Sequence, residues 1–268
     1  MKHEKTLVNK IKHLLNLANI PEFLHHYGPK KYKFYLHALA LLIRQECKLS
    51  FRRCSKILRS LGFIVPSYSA LAKMLKRIPL IIWEIMLKMS NNVQSKLIAI
   101  DSTGITRPLP SMHYLHRIDK PYPIEVPFKL SMIADLQSKK IITLRFRSKP
   151  RHDMKDVFYL LKKVKNVEML IADKGYDSES IHEYAFWNKF ITIIPKKANA
   201  RKGFFRKKMQ KHFSYQIYHR RSIIESMFFM IKRKYGEISS LKFKNQRADI
   251  YCRAIAHNIT LMNLDFFN

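Results

Sequence analysis

The chain has 268 residues, of which 47% are hydrophobic, which is enough apolar material for the core of one or two domains. Its 51 lysines and arginines outnumber its 19 aspartates and glutamates and give a formal net charge of +32. A charge of this size favours a polyanionic partner, and nucleic acid fits because phosphate neutralisation releases counterions. The basic residues are spread along the chain instead of lying beside an apolar anchor, which argues against a membrane surface.

The cysteines and the N-terminal region indicate an intracellular, cytoplasmic protein. Cys47, Cys54 and Cys252 are odd in number and lack metal-ligand spacing, which is typical of free thiols. The first fifteen residues, MKHEKTLVNKIKHLL, lack the pattern of a signal peptide. The longest apolar run near the start, residues 39–43, is too short to span a bilayer. We therefore expect no association with membranes.

Residues 1–95 show helical periodicity and are predicted to form a DNA-binding domain. Two short helices are expected over residues 50–61 and 68–78, with Ser50 and Ser67 as N-caps and Gly62 as a stop. Two such helices joined by a short turn are typical of a helix-turn-helix, although simple packing of a helical domain gives the same pattern. Given the charge, we favour DNA contact through the cations of the second helix. These cations are Lys73, Lys76 and Arg77.

From residue 96 onward the pattern changes to strands alternating with helices, which indicates an α/β domain around a mixed sheet. We place the boundary in the polar stretch before it, so the second domain covers residues 96–268. Strands are predicted over residues 97–100, 129–136, 141–146, 167–172 and 190–194, and helices over 153–164, 178–188 and 246–264. A proline-rich loop is expected over 107–127 and a basic loop over 199–211.

Residues 218–232, YHRRSIIESMFFMIK, contain no glycine or proline and predict one unbroken helix. At about 100° per residue, Tyr218, Arg221, Glu225 and Lys232 fall on one stripe of it. The rest of the surface is mostly apolar, which predicts a buried helix whose glutamate needs a cation or a metal ion as partner. An ordinary ion pair between Arg221 and Glu225, four residues apart, explains the same spacing.

Asp101 and Asp173 each end an apolar run, LIAI and MLIA respectively. In α/β sheets, sites form at the carboxyl ends of strands. Two carboxylates there, joined by a third from a crossing helix, can hold two divalent cations for phosphoryl transfer, and oxygen ligands favour Mg²⁺ or Mn²⁺. Glu225 is the natural third ligand. Each aspartate taken alone is explained more simply as a cap or turn residue.

Other polar residues are weaker candidates. Asp135 also ends an apolar run and competes as a ligand, unless it is a buried, hydrogen-bonded strand residue. Asp153 fits an N-cap, and Asp177 fits the turn after Asp173. Basic residues upstream of Glu225 are predicted to contact the DNA backbone, although a solvated loop has the same composition. They include Lys196, Lys197 and Arg201.

Three motifs together resemble the DDE-type transposases of insertion sequences. They are IAIDST around Asp101, IADKGYDS around Asp173, and the spacing Y-x2-R-x3-E-x6-K. The resemblance covers residues 96–264 and implies a ribonuclease-H-like mixed sheet flanked by helices, preceded by an all-α, helix-turn-helix-like domain. It also implies that Asp101, Asp173 and Glu225 are catalytic ligands of two Mg²⁺ or Mn²⁺ ions. The positions matching Tyr218, Arg221 and Lys232 would contact DNA at the transposon end.

The resemblance implies a transposase that cleaves transposon ends and joins the freed 3′-hydroxyl to target DNA by two-metal phosphoryl transfer. Its partners would be double-stranded DNA, as terminal inverted repeats and target, and a second copy when two ends are synapsed. Its location would be the nucleoid of a prokaryotic cell. Two alternatives stay open at this point: a host nuclease or resolvase of the same fold, and a domesticated, catalytically inactive DNA-binding protein.

Overall fold

The computed structural model describes residues 2–24, 30–91, 95–106, 108, 111–119, 127–149, 151–198, 200 and 202–262. The elements in chain order are α1 (Lys2–Leu17), α2 (Phe34–Glu46), α3 (Phe51–Ser60), α4 (Tyr68–Arg77), α5 (Leu80–Asn91), β1 (Leu97–Ile105), α6 (Met112–Arg117), β2 (Phe128–Asp135), β3 (Ile141–Arg147), α7 (Met154–Leu161), β4 (Met169–Ala172), α8 (Glu179–Trp187), β5 (Ile191–Ile193), α9 (Phe204–Gln210), α10 (Tyr215–Tyr218), α11 (Ser222–Tyr235) and α12 (Phe243–Thr260). No helix in these ranges is long and apolar enough to cross a membrane.

The chain divides into two compact units, and the last helix belongs to the first of them. One unit contains α1–α5, Lys140–Ile142 and α12, and the other contains the remaining elements. The sequence-based division instead placed residues 96–268 together. The difference arises because α12 packs against α2, α4 and α5 and buries residues such as Ile255 and Ile259 there.

A buried polar network joins α2 to α12 within the helical unit. Arg44 Nη1 lies 2.8 Å from Asp249 Oδ1, and Gln45 Nε2 donates to the same oxygen at 2.6 Å. Arg253 Nε in turn donates to Gln45 Oε1 at 3.2 Å. Losing one member of a buried ion pair leaves an uncompensated charge, so these contacts fix which face of α12 is buried.

Helices α3 and α4 form as the sequence predicts. Ser50 Oγ accepts the N–H of Arg53 at 3.2 Å, and Ser67 Oγ accepts that of Ala70 at 3.3 Å, so both N-caps are confirmed. Gly62 follows α3 with a φ of +84°, a conformation that glycine adopts without strain. The two helices pack against each other around a core of Ala40, Cys54, Leu58, Val65 and Leu71.

The five strands form one mixed sheet in the order β3-β2-β1-β4-β5. β1 pairs antiparallel with β2 and parallel with β4, and β4 pairs parallel with β5. Helix α7 packs on β2, α11 on β1, and α8 and α9 on β5. The α/β class and the expected arrangement of a mixed sheet flanked by helices after a helical N-terminal region are confirmed. Strand β1 is longer than predicted and continues past Asp101 to Ile105, paired with β2.

The predicted basic loop over residues 199–211 is wrong, because α9 lies within it. Gly203 precedes the helix with a φ of +131°. Glu179, the first residue of α8, accepts the N–H groups of Phe205 at 2.7 Å and Arg206 at 3.2 Å. N–H groups in the first turn of a helix have no acceptor within that helix, so they need one from elsewhere. A residue distant in sequence thus caps α9, and a local reading of residues 199–211 does not reveal it.

Candidate active site

Asp101 and Asp173 stand at neighbouring positions of two paired strands. The parallel ladder between β1 and β4 ends at the pair Ile100 and Ala172, so each aspartate follows the last paired residue. Adjacent strands are about 4.8 Å apart, which places the two backbones side by side. Asp173 then opens a short 3₁₀ turn, Lys174–Tyr176. The apolar runs before each aspartate are what bring the two carboxylates to one part of the sheet.

The third carboxylate comes from α11, which differs from its prediction in two ways. The helix begins at Ser222, and Tyr218 and Arg221 precede it, in α10 and in a 3₁₀ turn, so the single unbroken helix is wrong. The helix is also not buried all round, since the Glu225 side chain is 49% exposed and Phe229 is 64% exposed. One apolar face packs on β1, as in a helix with a single buried side.

Arg221 contacts carboxylates from both the helix and the strand. Its Nη2 lies 2.6 Å from Glu225 Oε1, and its Nη1 lies 3.6 Å from Asp101 Oδ2. The hydroxyl of Tyr218 donates to Asp173 Oδ1 at 3.4 Å, and the Tyr218 ring lies 5.9 Å from the guanidinium carbon. The five side chains Asp101, Asp173, Tyr218, Arg221 and Glu225 therefore form one cluster, which we call the carboxylate cluster.

Burial is the main influence on the electrostatics of Asp101, and the neighbouring carboxylates add a smaller effect. Burial raises the pKa of Asp101 to about 6; the N–H of Ser102 and the charge of Arg221 oppose this rise, and Glu225 and Asp173 add to it. Burial also acts to lower the pKa of Arg221, but Glu225 and its other neighbours leave that pKa above its ordinary value. The guanidinium therefore stays charged beside three acidic groups.

A chain of hydroxyls begins at Ser102, the residue that follows Asp101, and sequence reasoning did not find it. Ser102 Oγ donates to Ser131 Oγ at 2.8 Å and lies 3.0 Å from the hydroxyl of Tyr176. Ser131 Oγ donates in turn to Asp156 Oδ2 at 3.5 Å. Asp156 is fully buried and accepts Arg147 Nε at 2.8 Å. The available signal was a carboxylate beside the apolar residues of α7.

Two weaker candidates lie elsewhere. Asp135 pairs with Ile98 across the sheet, three residues before Asp101, or about 10 Å along the strand. It is buried and accepts the N–H of Ser138 at 2.7 Å. Asp135 is therefore a buried, hydrogen-bonded strand residue, which was the alternative to a ligand role. Asp153 occupies the N-cap position of α7 without making the cap hydrogen bond, and it pairs with Lys129 at 2.5 Å instead.

The carboxylate cluster has the oxygen donors of a site for a hard divalent cation, but its three carboxylates are not arranged around one. Within the described residues, no group of three or more acidic, histidine or cysteine side chains is arranged to hold a metal ion. The positive charge among the carboxylates is that of Arg221, which contacts Asp101 and Glu225. Three carboxylates against one guanidinium leave an excess of negative charge, and their oxygens are the ligands that Mg²⁺ and Mn²⁺ prefer.

A family model described as a transposase DDE domain matches residues 93–259, which is more than half of the chain. The chain belongs to this family. The match confirms the resemblance drawn from the three motifs and spans every residue of the carboxylate cluster. No curated protein sequence matches the chain.

Two solved transposase structures are similar to this DDE-family chain. One is the cryo-EM structure of a piggyBac transposase synaptic complex with hairpin DNA, with 14% identity, a TM-score of 0.35, and coverage of 73% of this chain and 49% of that one. The other is a Drosophila P element transposase strand transfer complex, with 11% identity, a TM-score of 0.34, and coverage of 84% and 64%. The matched region of this chain spans less than two thirds of the length of either of these proteins.

The cations predicted to contact DNA in this family member occupy different settings. Lys232 is exposed seven residues beyond Glu225, which is about 10 Å further along α11. Lys73, Lys76 and Arg77 are exposed on α4 in the helical unit. Lys196 is exposed beyond β5. Arg201 lies outside the described residues.

Lys197 differs from these cations because its polar groups bind the protein itself. Its ammonium donates to the carbonyl of Gly175 at 3.1 Å, and its backbone N–H donates to Asp177 Oδ2 at 2.8 Å. Gly175 lies in the turn that Asp173 opens. Lys197 therefore holds this turn in place, a positioning contact that the sequence pattern did not indicate.

Proposed function

We propose that this protein is a DNA transposase that cleaves transposon ends and joins the freed 3′-hydroxyl to target DNA. The observation that carries the proposal is the carboxylate cluster, in which Asp101 and Asp173 follow paired strands and Arg221 links Asp101 to Glu225. Membership of the transposase DDE-domain family supports the same conclusion. The catalytic residues would be Asp101, Asp173 and Glu225, which would bind two Mg²⁺ or Mn²⁺ ions.

Phosphodiester hydrolysis and strand transfer depend on how the protein positions the reacting groups and where it places charge. Hydrolysis of a phosphodiester needs an in-line water, and strand transfer needs a 3′-hydroxyl in the same place. Divalent cations held by the three carboxylates supply Lewis-acid stabilisation of negative charge on the phosphate. Arg221 can turn its planar guanidinium from Glu225 to a phosphate with bidentate geometry. Tyr218, with a partly exposed ring, can stack on or hydrogen-bond to the DNA end.

The remaining cations would bind the DNA backbone. Phosphate neutralisation at Lys232 and Lys196, and on α4, suits a chain with a net charge of +32. The substrates would be double-stranded terminal inverted repeats and a target duplex, and synapsis of two ends would require a homodimer. The site of action would be the nucleoid of a prokaryotic cell.

A strand-transfer assay tests the proposal. The full chain is mixed with Mg²⁺, a target plasmid and labelled DNA carrying the inverted repeats that flank its coding region. We expect joined products from the wild type and a loss of at least a thousandfold with Asp101→Asn, Asp173→Asn or Glu225→Gln, since each removes a carboxylate charge. DNA binding in a gel-shift assay should persist in all three variants.

Glu168→Gln is the matched control, because this exposed glutamate pairs with Lys96 at the surface. It should join DNA at the wild-type rate. Full joining by any of the three carboxylate variants would overturn the assignment of the site. Cleavage without joining would favour a host nuclease, and binding without cleavage would favour a domesticated DNA-binding protein.

A further inference from the structure

Four aromatic side chains of α8 and α9 form a contiguous surface outside the carboxylate cluster. They are Phe186, Trp187, Phe204 and Phe205, which we call the aromatic platform. Ring centroids lie 5.4 Å apart for Phe186 and Trp187, 5.3 Å for Phe186 and Phe205, and 5.2 Å for Phe204 and Phe205. Trp187 is 69% exposed and Phe204 is 70% exposed. Single exposed aromatics are common on proteins, but a contiguous exposed patch marks a binding surface.

The platform borders an open groove that carries positive charge. The groove has a volume of about 480 Å³ and is lined by Phe186, Trp187, Lys189, Phe190, Ile191, Lys208, Met209 and His212. This lining contains no carboxylate. Lys208 Nζ lies 4.1 Å from the centre of the Phe186 ring, so a cation sits directly on the aromatic surface. Aromatic rings and the ammonium groups of Lys189 and Lys208 thus lie together on one surface.

The position of α9 is fixed, which keeps the platform in place. Glu179 at the start of α8 caps α9, and Arg206 Nε donates to Asp177 Oδ1 at 2.8 Å. The two helices that carry the aromatic rings are therefore bonded to each other. A rigid surface of this kind loses little conformational entropy when a planar ligand stacks on it.

We propose that the aromatic platform binds the unpaired bases of a single DNA strand. Every base presents a face that stacks on aromatic rings, and lysines beside the rings neutralise the phosphates between bases. A duplex hides its base faces, so the platform should prefer unpaired DNA. A second copy of this chain is a poorer occupant, because both surfaces would bring positive charge from a chain of net charge +32. The choice of DNA over RNA rests on the proposed function.

Trp187 itself provides the probe for the test. The chain has two tryptophans, and the other, Trp83, is buried with 3% exposure. Full-length Trp83→Phe protein is titrated with a dT oligonucleotide, with the matching duplex and with an oligo(U) RNA, in buffer without divalent metal. We expect saturable quenching of Trp187 fluorescence by the single DNA strand and weaker quenching by the duplex. Photocrosslinking of wild-type protein to DNA containing 5-iodouracil, mapped by mass spectrometry, needs no substitution and should identify Trp187 or Phe204.

Trp187→Ala should weaken binding of the single strand about tenfold and duplex binding less than twofold, as measured by fluorescence anisotropy of labelled DNA. Leu241→Ala, which removes another exposed apolar side chain (95% exposed), is the control and should change neither. Equal losses for single strand and duplex would overturn the proposal, as would no loss. Tighter binding of RNA would overturn the choice of DNA.

Sedimentation of wild-type and Trp187→Ala protein without DNA tests the competing occupant. Unchanged mass supports the proposal, and a dimer lost in the variant would overturn it in favour of a contact between copies. Because these measurements use no metal and leave the carboxylates intact, a failed proposal here would not affect strand transfer. An inactive carboxylate cluster would likewise leave Trp187 quenching unchanged.

Discussion

Arg221 Nη2 lies 2.6 Å from Oε1 of Glu225, four residues further along the chain. A pair with this spacing is ordinary on the surface of a helix. Here, however, the arginine precedes α11 in a 3₁₀ turn, and its Nη1 lies 3.6 Å from Asp101 Oδ2. The ion pair and the carboxylate site are therefore not exclusive alternatives. The guanidinium occupies a position where the carboxylates require positive charge.

The first prediction concerns the competition between Arg221 and a metal ion. Replacing Arg221 with Met removes a positive charge beside Asp101 and Glu225 and frees both carboxylates. We expect Mn²⁺ to bind about tenfold more tightly, because attraction between the cation and the carboxylates is no longer offset. Isothermal titration calorimetry of the full chain without DNA measures this affinity. Strand transfer should fall, since a phosphate contact is lost.

Arg220→Met is the matched control for this prediction, because the neighbouring arginine is exposed and carries the same charge. It should leave Mn²⁺ affinity within about twofold of the wild type, as a surface charge is largely screened. If Arg221→Met bound Mn²⁺ more weakly than Arg220→Met, the guanidinium would not be competing with the metal ion.

Gly203 is predicted to be intolerant of a side chain. Its φ of +131° is strained for other residues, and a Cβ atom there would meet Glu179 Oε2, one of the two oxygens that cap α9. Gly203→Ala should lower the free energy of unfolding by about 1–3 kcal/mol, measured by urea denaturation. Gly175→Ala is the control, since a Cβ atom at Gly175 meets nothing within 4 Å. Equal stability of the two variants would contradict this account of the cap.

His182 is predicted to make stability depend on pH. Its Nε2 lies 2.9 Å from Asp177 Oδ1 and its Nδ1 lies 2.7 Å from Thr192 Oγ1, in a fully buried site that Arg206 and Glu179 also face. Burial lowers the pKa of His182 below 6.5 and outweighs the opposing effect of Asp177. As the pH falls below about 6.5, the unfolded chain takes up this proton before the folded chain does, so the contribution of His182 to stability decreases.

His182→Gln should flatten this dependence by up to about 1.4 kcal/mol per pH unit, measured by urea unfolding between about pH 5 and 6.5. Asp101, whose pKa is raised to about 6, acts in the opposite direction in this window in both proteins, so the test is the difference between the wild-type and variant slopes. Asp177 does not contribute in this window. Burial acts to raise its pKa, but hydrogen bonds from Lys197, Arg206 and His182 leave it below 3.8, so its stabilising effect is lost at lower pH. A wild-type slope in the variant would show that another group carries the pH dependence.

The last prediction concerns the exposed cations of α4. Lys76→Gln and Arg77→Gln should each weaken duplex binding by about two- to tenfold at moderate salt. Each should also reduce the slope of log affinity against log salt concentration by about one, because one phosphate contact is lost. Lys88→Gln, at an exposed lysine on α5, is the control. Binding should be compared by fluorescence anisotropy over a salt series, and unchanged slopes in all three variants would exclude α4 from the DNA interface.

Local patterns were sufficient wherever neighbours in sequence make the decisive contacts. Ser50 and Ser67 cap helices that begin one residue later. The apolar runs before Asp101 and Asp173 become strands that pair with each other, as their composition predicts. The same reasoning failed at α9, whose start depends on Glu179 from another helix.

The amino-acid sequence by itself determined the fold class, the two strand aspartates and the Y-x2-R-x3-E-x6-K spacing. Periodicity and motif spacing depend only on the order of residues, so they can be recognised without the structure. Tertiary structure decided that Arg221 connects Glu225 to Asp101, that Lys197 binds the turn after Asp173, and that the platform around Trp187 is exposed. The physical reason is that each of these depends on which distant surfaces pack together. Packing sets burial, and burial sets which charges meet and which aromatic faces stay open to a ligand.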